Sequence, residues 1–251
     1  MHSRRRFLQL SLAALAAAAA QSVRGQDSAL EPHVWLPIVR AAPPPPPTPA
    51  PTPSPAQLDT PILGLPSGLA QQAYNWLVAR AAPEYTPYDI WAIVNAYQQI
   101  GDSVELDWFL ALAQMCHETG SMTSWWSGRP HRNPAGIGVT GRTQIGTLDT
   151  PPIGSAWAWD GSVWREGVSF ATWVDHGIPA HLGRLLAYAL RDDQASPAQL
   201  DLIRRALEVR PLPASLRGAA PTIVSLNGRW AVPGTSYGQR IMDLAGRMRL
   251  S

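Results

Sequence analysis

The stretch AAPPPPPTPAPTPSPAQ, residues 41–57, divides this chain in two. Proline has no backbone N–H and a fixed φ, so a run this dense favours extended polyproline geometry and adds nothing to a packed core. It reads as a semi-rigid spacer, and only the C-terminal side is long enough to hold a domain of good size. Residues 58–251 are therefore the expected domain, and residues 26–57 an extended Pro-rich linker. A hydrophobic fraction of 45% fits one globular core with extensions.

Residues 1–25 have a different character. SRRRFLQ, from Ser3 to Gln9, resembles the twin-arginine export motif, and the apolar run LSLAALAAAAA behind it is too short and alanine-rich for a membrane span. The expectation is an export signal, a location in the cell envelope or outside the cell, and no stable membrane span after signal removal. All twenty basic residues are arginine. Without Arg4, Arg5, Arg6 and Arg24, sixteen face 18 acidic residues, a balance of −2, so the pI near 9.0 largely reflects the N-terminus. A basic groove for nucleic acid is not indicated. One cysteine, Cys116, excludes an internal disulfide framework. A monomer is expected.

Within the domain, helices are well punctuated. Ser67 is positioned to cap GLAQQAYNWLVARA, and Thr86-Pro87 opens PYDIWAIVNAYQQI, which Gly101 ends. Asp102 or Ser103 is expected to cap VELDWFLALAQMCHET, with Gly120 closing it. The Gly-, Thr-, Pro- and Trp-rich segment 139–173 reads as loops with one small hairpin or sheet, drawing on SVWRE and GVSFATW. Helical periodicity returns in IPAHLGRLLAYALRD, after the capping box at Ser196-Pro197-Ala198-Gln199, and in TSYGQRIMDLAGRM. The expected class is mainly α (α+β), a helical domain with a small irregular β lobe.

The stretch from Gln114 to Gly141 carries the chemistry. A zinc site of the H-E-x-x-H kind needs a second histidine where Ser121 stands, so none is expected. Cys116 and His117 are consecutive on a helix and diverge by about 100°, which excludes a dyad between them. Glu118 remains: the negative end of the helix dipole and burial among apolar side chains both disfavour its charge. Such a carboxyl can donate a proton to a departing sugar oxygen. Gly136, Gly138 and Gly141 let backbone approach a ligand, with Asn133 fixing the turn, and Trp125 and Trp126 offer faces for sugar rings.

A helix ending in A-x-x-x-x-E-(S/T)-G, here ALAQMCHETG, followed by NPAGIGVTG, resembles the β-N-acetylglucosaminidases of bacterial cell walls, glycoside hydrolase family 73. SFATWVDHGIPAHLGRLL and LNGRWAVPGTSYGQRI are similar to later segments of that family, extending the likeness from about Leu106 to the C-terminus. The resemblance implies a lysozyme-like fold, no metal or organic cofactor, and peptidoglycan glycan strands as partner, cut at the β-1,4 bond after N-acetylglucosamine. It makes Glu118 the general acid, places Tyr237 beside the cleft as an assisting residue, and adds Ile137 and Trp230 to the substrate-binding set. For a second carboxylate in the β lobe, Asp149, Asp160 and Glu166 are the choices, Asp160 first because its D-G turn lies between tryptophans. A lytic transglycosylase and a wall-binding module without catalysis stay open.

Overall fold

The computed structural model describes residues 60–154 and 156–251. The export signal and the Pro-rich linker lie outside the described residues, as do Leu58 and Asp59. The described chain is mainly helical, with one small antiparallel sheet. In order, the helices are α1 (Ala70–Val78), α2 (Pro87–Ser103), α3 (Trp108–Thr119), α4 (Ile178–Ala189), α5 (Pro197–Val209) and α6 (Tyr237–Met248). Strands β1 (Thr143–Gln144), β2 (Trp157–Trp159) and β3 (Trp164–Glu166) lie between α3 and α4 in the order β1-β3-β2. Among the described residues no helix is long and apolar enough to cross a membrane.

Helix α3 is the axis of the domain. Every residue from Trp108 to Cys116 is buried, so this helix lacks a solvent face until its last turn. An all-round apolar helix is stable only inside a core, and α2 and α6 pack against it. Helices α4 and α5 pair beside this core. Gly183 permits their approach, since a β-carbon there would overlap the Leu202 carbonyl.

Two helix starts differ from expectation. The first helix begins after Leu69, whose N–H is accepted by Gln72 Oε1 at 2.8 Å; Ser67 lies before it and its N–H donates to Asp107 Oδ1. Helix α3 begins at Trp108, capped by Asp107 through Phe109 N and Leu110 N at 3.1 Å each, because α2 runs on through Asp102 and Ser103. Gly101 does not end α2, which runs to Ser103, but three other caps are as expected: Thr86 on Asp89 N, Ser196 on Gln199 N, and Gly120 in the left-handed conformation at φ 60°. Of the two β-type pieces, the WRE of SVWRE is β3, whereas in GVSFATW no residue belongs to a strand.

Candidate active site

Glu118 stands in the last turn of α3, at the boundary of two hollows of about 480 and 440 Å³, both of which it lines. Burial raises its pKa above the usual carboxyl range, while hydrogen bonds from Tyr237 and from the Trp230 indole oppose the rise. Burial is the largest of these effects, so the net shift is upward. The Tyr237 hydroxyl donates to Glu118 Oε1 at 2.5 Å. Oε2 faces the glycine turn: a β-carbon placed on Gly136 would lie 3.8 Å from it. When the carboxyl is protonated, its proton belongs on Oε2, the oxygen facing Gly136 of the larger hollow.

That turn is built by Asn133, which is fully buried. Its Oδ1 accepts from Ala135 N at 3.2 Å and Ile137 N at 2.9 Å, and its Nδ2 donates to the carbonyls of Ile137 and Val168 at 2.9 Å each. One amide thus closes the loop on itself and fastens it to the chain behind. Gly136 and Gly138 adopt φ of 60° and 73°, conformations that a β-carbon disfavours. Both glycines line the larger hollow with Trp126, Asn133, Ile137 and Trp230. The Ile137 side chain packs with Ala135, Phe170 and Ala180, and its N–H and carbonyl are taken by Asn133 and Val168, so Ile137 holds the turn in shape.

Trp125 is not among the residues lining this hollow. Its ring meets Trp126 edge-on, lies 4.1 Å from His131 and has the Arg165 guanidinium 5.9 Å away. Asp160, expected over the cleft, is also elsewhere engaged. Its Oδ1 accepts from Ser162 N, Val163 N and the Ser162 hydroxyl, and its Oδ2 pairs with Arg165 at 2.6 Å. Those bonds hold its carboxyl far below the usual range and tie it to its own turn. Glu166 is buried on β3 against the Thr140 hydroxyl, with Arg142 at 3.4 Å, and Asp149 is exposed. Glu118 is the one carboxylate among the described residues lining the larger hollow.

Behind Tyr237 runs a buried chain of donors that the sequence did not disclose. Gln114 Nε2 donates to the Tyr237 hydroxyl at 2.7 Å, and Gln114 Oε1 lies 3.0 Å from His181 Nε2. An amide oxygen only accepts, so His181 carries its proton on Nε2, and its Nδ1 accepts from the Tyr97 hydroxyl at 2.8 Å. Every bond from Tyr97 to Glu118 then points toward the carboxyl. Complete burial of His181 lowers its pKa to about 3, which keeps the ring neutral and this order intact. Gln114 and Glu118 are four residues apart on α3 and share a face. A glutamine inside an apolar helix, one turn before the candidate acid, is the signal that could have found it.

His117 is half-buried with its ring 5.5 Å from that of Tyr237; burial foremost, and Arg240 next, lower its pKa. Cys116 is buried, and burial pushes its thiol up to about 12, so it is an inert core residue. No protein-family model, no curated protein and no solved structure matches this chain.

Proposed function

We propose that this chain is an exported peptidoglycan hydrolase of lysozyme-like fold, cutting the β-1,4 bond after N-acetylglucosamine with Glu118 as general acid. The observation that carries the reading is the state of Glu118. It is raised by burial, held through Oε1 by Tyr237, and directed through Oε2 at a glycine turn that admits a ligand. The hollows on either side suit a polymer bound across the acid, hence cutting within a strand. Trp126 and Trp230 supply aromatic surface for sugar rings.

In this reading Oε2 gives its proton to the glycosidic oxygen as the C1–O bond breaks, and the leaving sugar departs with a hydroxyl. The electron-poor C1 is captured by the acetamido oxygen of the same sugar, a route suited to a cleft lined by a single carboxylate. Glu118, now ionised, takes a proton from a water that attacks C1 and reopens the acetamido ring. Among the described residues Glu118 is the only carboxylate in the larger hollow, which also favours a second reading. A lytic transglycosylase needs one acid and captures C1 with a hydroxyl of its own sugar, giving an anhydro product one water lighter.

Mass spectrometry of muropeptides after digestion of purified peptidoglycan tests both. A reducing N-acetylglucosamine end supports the hydrolase, and an anhydro end supports the transglycosylase. Glu118→Gln is expected to reduce release by roughly 10²–10⁴-fold. Undiminished release by that variant overturns the role of Glu118, and glycan binding without release by the wild type identifies a binding module.

A further inference from the structure

Along the wall of the larger hollow, beyond Trp230, stand two arginines, Arg184 and Arg210. Arg184 projects from α4 and is half-buried, whereas Arg210 is exposed. Its Nη1 donates to the Arg210 carbonyl at 2.9 Å, and its guanidinium lies 5.7 Å from the Tyr188 ring and 5.9 Å from the Trp230 ring. Among the described residues neither arginine has a carboxylate within ion-pair distance. Taking even part of a guanidinium out of water without an anion is costly, and a second like charge beside it adds to that cost. Burial, and to a smaller degree Arg210, accordingly lower the pKa of Arg184.

Such an arrangement has a missing member. We propose that Arg184 and Arg210 form a carboxylate-binding subsite in the Glu118 cleft, taking an anionic substituent of the glycan close to the bond that is cut. This rests on the glycosidase reading and adds to it the chemistry of the preferred substrate. Trp230 sets the spacing, since its indole N–H faces the Glu118 carboxyl while its ring lies beside Arg184. The acid and the guanidinium are thus separated by one indole, so the anion belongs to a sugar near the cleaved bond. Arginine suits the task because its planar fork matches a carboxylate through two parallel bonds. The bond from Arg184 Nη1 to the Arg210 carbonyl limits the positions that fork can take before the ligand arrives.

In peptidoglycan a carboxylate has two sources. Intact strands present it on the stem peptide, because the lactyl group is there in amide linkage. Strands freed of their stems by an amidase present it on the lactyl group itself. Equilibrium binding on the Glu118→Gln background reads the subsite without turnover, using intact strand fragments, stem-free fragments and a neutral chitooligosaccharide of equal length. The expected result is a preference for at least one anionic fragment over the neutral one, reduced at least tenfold in Arg184→Met and partly restored in Arg184→Lys. Preference for the stem-free fragment assigns the lactyl carboxylate, and preference for the intact fragment assigns the peptide.

Equal affinity for all three ligands overturns the proposal. So does an equal loss on all three in Arg184→Met, which would reduce Arg184 to a support for Trp230. Arg210→Gln keeps the backbone carbonyl that Arg184 uses and is expected to lower the same preference, so misfolding of one variant leaves a second measure. Wild-type turnover is assayed on the same three ligands. Its absence defeats the glycosidase reading, while the binding preference continues to decide the subsite.

Discussion

The Tyr237 hydroxyl bonds to Oε1 of Glu118 at 2.5 Å, and this contact assigns separate tasks to the two carboxyl oxygens. Oε1 is held by Tyr237, and Oε2 faces the Gly136 turn.

Tyr237→Phe removes a donor that favours the ionised form of Glu118, so the already raised pKa is expected to rise further. A general acid works only while protonated, so activity falls as pH rises through that pKa. The variant's descending limb should therefore move to higher pH, with kcat/KM about tenfold lower from the lost orientation. The pH profile of kcat/KM checks this. A limb that stays in place would show that the bond does not reach the working carboxyl.

Glu118→Gln should also change stability in a direction opposite to its effect on catalysis. The folded pKa of Glu118 lies above its ordinary 4.5, so the fold favours the protonated form. That contribution is fully present below pH 4.5 and is lost as pH rises through the folded pKa. Glutamine never ionises and keeps it throughout. At neutral pH the variant should resist urea better than the wild type, and the gap should close below pH 4.5. A gap of the same size at both pH values would trace the gain to packing instead.

His181 follows the opposite sign. Its folded pKa of about 3 lies below the ordinary 6.5, so its stabilising contribution is present above pH 6.5 and declines as pH falls toward 3. The ring cannot be protonated without breaking the order of donors through Gln114 to Tyr237. His181→Gln should flatten the acid-side loss of stability over this interval, at a cost near neutrality of a few kcal/mol, on the order of a buried hydrogen-bonded pair. Thermal unfolding at closely spaced pH values checks the slope.

How much of this was legible beforehand differs from one residue to the next. Glu118 and the Asn133 turn were legible because both are local: a helix with glycine at its C-terminal cap, and an Asn followed by closely spaced glycines. The mainly helical class, with a small sheet between the third and fourth helices, followed in the same way from caps and periodicity. The start of α3 was misplaced since Asp102, Ser103 and Asp107 are all good caps. The choice among them is tertiary: Gly101 packs so close to Trp108 that a β-carbon would not fit, and α2 continues past it. Asp160 misled for a related reason, since its own turn and Arg165 satisfy every acceptor that could have faced the cleft. Gln114 meets His181 of α4 and Tyr237 of α6, and Arg184 meets Arg210 and Trp230, pairings that no short window of sequence contains.

Asn133→Ala tests whether the glycine turn is held as described. The substitution removes four hydrogen bonds in one step and strands the N–H groups of Ala135 and Ile137 and the Val168 carbonyl, while the Ile137 carbonyl keeps only the Val168 N–H. Some of these groups regain water when the loop opens, which limits the loss to about 3 kcal/mol, or a Tm lower by roughly 10 °C. Function should suffer more than stability, because Gly136 then leaves its place beside Oε2 of Glu118. Activity assayed well below the new Tm is expected to fall at least tenfold with Glu118 untouched, mainly through KM, since the turn binds and does not transfer protons. Asn133→Asp separates the two faces of the amide. The carboxylate keeps the two accepting bonds from Ala135 and Ile137 but faces the Ile137 and Val168 carbonyls without a donor, and should be at least as destabilising as alanine near neutral pH. Partial recovery of that variant in acid, where the new carboxyl is protonated and can donate once, would place the damage at the two carbonyls.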